Sequence, residues 1–344
     1  MIQKDLNRKA ASPMSEFSRP EPSSCWVLTD GKAGDEAQCI GVAEALGLPY
    51  SIHKVSPKPP FSWLMPWGPI DPREAETVPG SPIAPPYPDI AIASGRRSIA
   101  YLKRLKKISS GQTFTVCLKD PRTGIGAADF IWVAEHDRLR GDNVFVTTTA
   151  PHRFSAASLA SAWERIPEEI RSLPHPKVAV LIGGDSRHHK FLTEDVEVFC
   201  RGLLTMQEET GASFMATCSR RTPRALKSRM EEIISSGRGI FWNERGENPL
   251  KAYLASADAI VATADSTNMI GEAAATGKPI HVFSPHGGHP KIDQFLGRLR
   301  QMGILHPFPG PLKKTTYEPL DSTPLIAAKI REAYAQHKFG RSVC

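Results

Sequence analysis

Short apolar runs rich in Val, Ile, Ala and Phe recur along the chain, each followed by a turn of Gly, Ser or Asp and then by helically spaced apolar positions. Runs of this kind suit strands buried on both faces, and their alternation with helices predicts parallel sheets covered by helices. In the first half the pattern predicts strands over 25–29, 50–55, 90–93, 114–118, 130–134 and 144–147, with helices over 35–46, 98–108 and 155–170. After Leu173, Pro174, His175 and Pro176 the cycle restarts. Strands follow over 178–182, 213–217, 239–242, 259–263 and 280–283, and helices over 193–210, 222–234, 249–256 and 266–276. Proline interrupts helix and sheet alike, so the linker is expected at 173–176. The expected fold is α/β, with two Rossmann-like doubly wound parallel-sheet domains and a cleft between them. Residues 1–24 read as a disordered tail, 25–172 as the first domain, 177–320 as the second, and 321–344 as a C-terminal helix that packs back on the first.

One segment breaks the rhythm. Residues 57–88 hold 11 prolines together with Phe61, Trp63, Leu64, Met65 and Trp67, which excludes helix and central strand. Two readings stand: a long loop packed on its own domain, or an aromatic edge that dips into a membrane interface. Downstream, Ile99, Leu102, Leu105 and Ile108 share one side of a helix whose other positions include Arg96, Arg97, Lys103, Arg104, Lys106 and Lys107. That pattern fits a helix with a solvated basic face, or one that docks on anionic lipid.

Composition changes this picture little. A chain of 344 residues with 40% hydrophobic and 23% charged residues is long enough for two domains with a core each. No apolar run approaches the roughly 18–20 residues of a membrane span, and the N-terminal stretch lacks the apolar segment of a secretory signal. The six cysteines form no CxxC pair, so a reduced, cytoplasmic setting is expected, with attachment to the inner face of the membrane as an option. The net charge of +7 is spread over both halves. It argues against a nucleic-acid-binding domain and suits a phosphate-bearing ligand or an anionic membrane surface.

In doubly wound sheets ligands sit where strands end and helices begin, because free N–H groups and a partial positive charge gather there. Four such loops have unusual content. Between the first strand and helix, Gly31, Lys32, Gly34, Asp35 and Gln38 form a turn that approaches a ligand closely, or one in which Asp35 only caps the helix. Gly183, Gly184, Ser186 and Arg187 open the second domain with small residues, a hydroxyl and a cation, as a diphosphate requires. Asp185 fits that reading only if it points away. Ser219, Arg220 and Arg221 precede a proline at a helix start, a setting for bidentate phosphate contacts. Asp265, Ser266, Thr267, Asn268 and Glu272 lie in a segment whose alanines let the helix approach the sheet, and Asn268 and Glu272 share a helix face.

The stretch from residue 257 to 283 resembles the donor-binding segment of GT-B-fold glycosyltransferases such as the peptidoglycan GlcNAc transferase and lipid A disaccharide synthase. Across 25–310, the ordered motifs TDGKAGDEAQ, LKDPR, GGDSR, SRRTP, ENP and TADSTNMIGEAAATGKP look like the Elm-type mitochondrial fission family, which has bacterial members. The first resemblance implies a nucleotide-sugar donor with its diphosphate near Gly183, Gly184, Ser186, Ser266 and Thr267, its ribose at Glu272, and its base beside Trp242 and Asn243. It also puts Asp35 where the GlcNAc transferase has a histidine, as a general base. The second implies an adaptor that recruits a dynamin-like partner. A nucleotide-sugar epimerase or hydrolase is the third class this fold suggests.

Two further loops complete the candidate site: Asp120 with Arg122 after the fourth strand, and His136 beside Asp137 after the fifth, where a histidine can exchange protons. Gly95 and Arg96, after the third strand, join Gly31, Lys32, Gly34, Gln38 and Arg122 on the acceptor side. The pairs His188 and His189, and His286 and His289, lack a cysteine or carboxylate at metal-binding spacing, so no metal and no cofactor is expected. Serine-hydrolase, P-loop and dinucleotide fingerprints are missing from the sequence. The reading is a GT-B-like glycosyltransferase acting on a lipid-linked or envelope acceptor at the cytoplasmic membrane face.

Overall fold

A computed structural model describes residues 21–236, 238–242 and 244–342. The tail expected over 1–24 lies outside the described residues up to residue 20, as do Asn243 and Cys344.

The first unit is a six-stranded sheet of β1 (Cys25–Thr29), β2 (Tyr50–Lys54), β3 (Ile90–Ser94), β4 (Phe114–Leu118), β5 (Phe130–Ala134) and β6 (Val144–Thr147). Every pairing is parallel and the strand order is β2-β1-β3-β4-β5-β6. β1, β3, β4 and β5 are buried along their whole length, which is why their sequences are apolar without alternation. Helices α1 (Ala33–Ala45), α2 (Phe61–Leu64) and α3 (Ser98–Ile108) follow β1, β2 and β3. α3 buries Ile99, Tyr101, Leu102 and Leu105 against the sheet.

Two short helices, α4 (Ala156–Glu164) and α5 (Glu168–Arg171), lead into the second unit. One helix was expected over 155–170. Pro167, which has no N–H to donate, caps α5 and separates the two. Both pack on the second unit, where Ile166 and Ile170 share a core with Ala179 and Leu181. Both helices thus lie with the second unit, on the N-terminal side of the prolines at 174 and 176.

The second sheet has the order β10-β9-β7-β11-β12-β14, again parallel throughout. Its strands are β7 (Lys177–Ile182), β9 (Ser213–Cys218), β10 (Gly239–Trp242), β11 (Ala259–Thr263), β12 (Ile280–Phe283) and β14 (Leu305–Pro307), and a small antiparallel ribbon pairs β8 (His189–Lys190) with β13 (His286–Gly287). Helices α6 (Thr193–Thr210), α7 (Arg224–Ser236), α8 (Leu250–Ser256), α9 (Thr267–Ala274) and α10 (Pro290–Gln301) cover it. A last helix, α11 (Thr323–Ser342), packs on α1 and puts Ile326, Ile330 and Tyr334 into the core of the first unit. The fold is thus α/β, with two Rossmann-like doubly wound parallel sheets.

Strand order reverses between β1 and β3 in the first sheet and between β7 and β11 in the second. Such switch points open crevices at the C-terminal ends of the strands.

The proline-rich segment is packed for most of its length. Met65 and Ile83 are fully buried, Phe61, Ile70 and Tyr87 lie on the same core, and Asp71 accepts from the backbone of Lys58 and Arg73. Trp63 and Trp67 nonetheless remain 72% and 64% exposed, with Leu64 between them. Among the described residues no helix is long and apolar enough to cross a membrane.

Candidate functional site in the inter-domain cleft

A cavity of about 580 Å³ lies between the units, within the usual range for small-ligand sites. Lys32, Asp35, Gln38, Gly95, Arg96, Lys119, Asp120, Arg122, His136 and Asp137 line it from the first unit, and Arg187, Thr267, Asn268 and Lys291 from the second. All three catalytic candidates, Asp35, Asp120 and His136, therefore face one space.

Asp35 sits in the first turn of α1 and does not cap it, since Lys32 is the N-cap residue. Its carboxylate accepts from Lys119 Nζ at 2.5 Å. Gly95, with φ +89°, lies so close that an added Cβ would stand 3.0 Å from Asp35 Oδ2. Asp120 accepts from the backbone N–H of Arg122 at 2.7 Å and so closes the turn after β4. Lys119 and Arg122 both adopt positive φ, +86° and +61°, a conformation that costs free energy in non-glycine residues and gathers at functional sites. Burial lowers the His136 pKa, with Asp137 opposing that shift. The His136 ring meets Phe295 edge-on at 6.1 Å.

Contacts from both units close the cleft at its sides. Gln38 donates to Asn268 Oδ1 at 3.1 Å, and Lys291 Nζ lies 2.5 Å from Asp137 Oδ1. Lys291 belongs to α10, which sequence reasoning did not identify. Pro290 at the helix start and the spacing of Ile292, Phe295, Leu296 and Leu299 were the available signal. Around the cavity Lys32, Arg96, Lys119, Arg122, Arg187 and Lys291 outnumber Asp35, Asp120 and Asp137.

The other expected donor contacts hold the second unit together. Asp265 has a fully buried side chain and fills the switch point between β7 and β11. It accepts from Gly184 N at 2.8 Å, Thr263 Oγ1 at 2.7 Å and Arg221 Nη2 at 3.1 Å, while Gly183 N donates to Thr263 Oγ1 at 2.8 Å. The two backbone donors expected at a diphosphate are thus occupied by the protein itself. A Cβ on Gly183 would stand 2.2 Å from Asp265 Oδ2, so glycine is there to admit the carboxylate. Ser186 accepts from His188 and His189 backbone N–H groups, and Asp185 accepts from Phe191 N. Ser219 Oγ donates to Gly183 O at 2.6 Å. Trp242 donates to Arg245 O at the sheet edge. Ser266 caps α9 without a side-chain bond, and Arg220 is exposed. None of Arg220, Arg221, Ser266 and Trp242 lines the main cavity.

Glu272, the expected ribose contact, faces a separate cavity of about 10 Å³ in the seam between α9, α1 and residues 150–152. Such a space is about one water in size and excludes a ribose. Burial pushes the Glu272 carboxyl up to about 8. Gly34 lines the same seam, and Gly31 turns the chain beside Lys54. His188 and His289 rings lie 4.2 Å apart, but among the described residues no group of three or more His, Cys, Asp or Glu is arranged to hold a metal ion.

Two Rossmann-like sheets enclosing a charged cleft place the chain in the GT-B-like architectural class. Residues 33–334 match the family described as Mitochondrial fission ELM1, and the chain belongs to that family. It is 31% identical over 279 residues to Mitochondrial fission protein ELM1 of Arabidopsis thaliana, covering 72% of this chain and 64% of that protein. An uncharacterized protein of Rickettsia prowazekii (strain Madrid E), RP120, is 31% identical over 196 residues, 54% of this chain and 53% of the relative. The chain spans less than two thirds of the length of these curated relatives. Similar solved structures include S. aureus MnaA with UDP, at 11% identity over 92% of this chain and 90% of that one, with a TM-score of 0.49. Another is Medicago truncatula UGT71G1 complexed with UDP-glucose, at 12% identity over 92% and 93%, with a TM-score of 0.47.

Proposed function

We propose that this protein is a GT-B-type glycosyltransferase that takes a nucleotide-sugar donor in the inter-domain cleft and passes the sugar to a lipid-linked or envelope acceptor at the cytoplasmic membrane face. The observation that carries the reading is the shared cavity, in which Asp35, Asp120 and His136 face Arg187, Thr267 and Asn268 across the two units. Asp35 takes the proton from the attacking acceptor hydroxyl, and Lys119 orients its carboxylate. As the bond between sugar and diphosphate breaks, negative charge grows on the leaving phosphate, and the surplus of cationic side chains around the cavity stabilises it. Exposed Trp63 and Trp67 supply the membrane contact.

A second reading, a non-catalytic adaptor of a dynamin-like partner, is favoured by one observation: Asp265 fills the glycine loop at the second switch point. A thermal-shift screen of the full chain against a panel of nucleotide sugars, followed by calorimetry, separates the two. Binding together with sugar transfer or donor hydrolysis supports the enzyme. No stabilisation by any nucleotide sugar at millimolar concentration overturns it.

A further inference from the structure

With the glycine loop of the second unit closed by Asp265, the positive side chains of the cleft gather on the opposite wall. There the β3–α3 turn forms the switch point of the first unit, with Gly95 at φ +89° and Arg96 lining the cavity. The hydroxyls of Ser94 and Ser98 at this turn, in residues 1% and 0% exposed, have no hydrogen-bond partner among the described residues. Neither serine lines the cavity, whose surface at this turn is formed by Gly95, Arg96 and Ile99. The neighbouring β4 turn is held in a costly backbone conformation at both Lys119 and Arg122. Among the described residues no carboxylate pairs with the side chains of Arg96, Arg122 or Arg187, although Lys32, Lys119 and Lys291 each have one. Arg96 makes one bond, to Ser62 O at 3.2 Å.

We propose that the guanidinium groups lining the cleft form a pyrophosphate seat. Arg96 and Arg122 hold the diphosphate on the first unit, and Arg187 closes over it from the second. Guanidinium groups bind phosphate oxygens bidentately, which suits a diphosphate better than a monovalent anion. The inference rests on the nucleotide-sugar reading above and moves the diphosphate from the Gly183 and Gly184 loop to the other wall of the cleft.

The test is calorimetry of the full chain with inorganic pyrophosphate, which requires neither nucleoside nor sugar. Wild type is expected to bind, and Arg122→Gln and Arg187→Gln each to weaken binding by about tenfold or more. Arg165→Gln, exposed just after α4 and outside the cleft, should leave it unchanged. Absence of pyrophosphate binding at millimolar concentration, or equal losses in the Arg165 and Arg122 variants, overturns the seat. Nucleotide-sugar binding undiminished in Arg122→Gln and Arg187→Gln also overturns it and leaves the transferase reading standing. Pyrophosphate binding that follows the expected pattern without any nucleotide-sugar binding supports the seat and removes the transferase.

Discussion

Lys119 Nζ lies 2.5 Å from Asp35 Oδ1 and joins the turn after β4 to the first turn of α1 at the mouth of the cleft. Asp35→Asn is expected to lower kcat in a sugar-transfer assay with KM for the donor nearly unchanged, because a general base acts in the transition state. The pair is partly exposed, so a double-mutant cycle with Lys119→Met should return a stability coupling of only about 0.2–1 kcal/mol. Equal losses in kcat and donor affinity would instead mark Asp35 as a binding group.

Gly183 and Asp265 define the most demanding packing contact in the second unit. Gly183→Ala should lower stability by at least about 1–3 kcal/mol in urea unfolding, since the new methyl overlaps a carboxylate with no room to move. Asp265→Ala should cost about 1–3 kcal/mol by leaving Gly184 N–H unpaired. Urea midpoints equal to wild type in both variants would contradict the packing described.

Glu272 makes stability depend on pH. Its carboxyl is pushed up to about 8 by burial, against about 4.3 for a free glutamate. Between those values the folded protein keeps a proton that the unfolded chain gives up. The folded state therefore binds more protons, and its stability falls as pH rises through that window, by up to roughly 1.4 kcal/mol per pH unit. Glu272→Gln should flatten this decline in urea titrations between pH 5 and pH 8, with the largest gain over wild type at the alkaline end.

Trp63 and Trp67 project from a segment that is otherwise packed. Co-sedimentation with vesicles containing anionic lipid should fall when both become Ala, with no change in melting temperature because neither ring is buried. Unchanged co-sedimentation would leave the segment as a packed loop alone.

Strands and their parallel pairing were legible because a strand covered on both faces is apolar at nearly every position, as β7 is after Lys177 and β11 before Thr263. β14 was not legible: three residues, Leu305, His306 and Pro307, form an edge strand with no run to detect. On the first wall the sequence pointed to Lys32, Asp35, Arg96, Arg122 and His136 because each lies in a loop after a strand or in the helical turn that follows it. On the second wall the sequence reveals which residues are unusual but not whom they serve. Gly184, Arg221 and Asp265 are bonded to one another, Gly183 joins them through Thr263, and sequence spacing does not distinguish a bond within the protein from one to a ligand. Glu272 escaped for a related reason, because the approach of α1 and residues 150–152 narrows the space in front of it.

The return of α11 bears on the order in which the molecule can be made. Ile326, Ile330 and Tyr334 complete the apolar core beneath β3, β4 and β5, so that core lacks part of its wall until the ribosome has synthesised the whole second unit. Domains ordinarily fold as they emerge, N-terminal first. Here the later unit is the one able to finish first, and the earlier one must wait with an apolar face uncovered. Chaperone demand during synthesis should therefore concentrate on the N-terminal half, and truncation before α11 should strike that half and spare the second sheet.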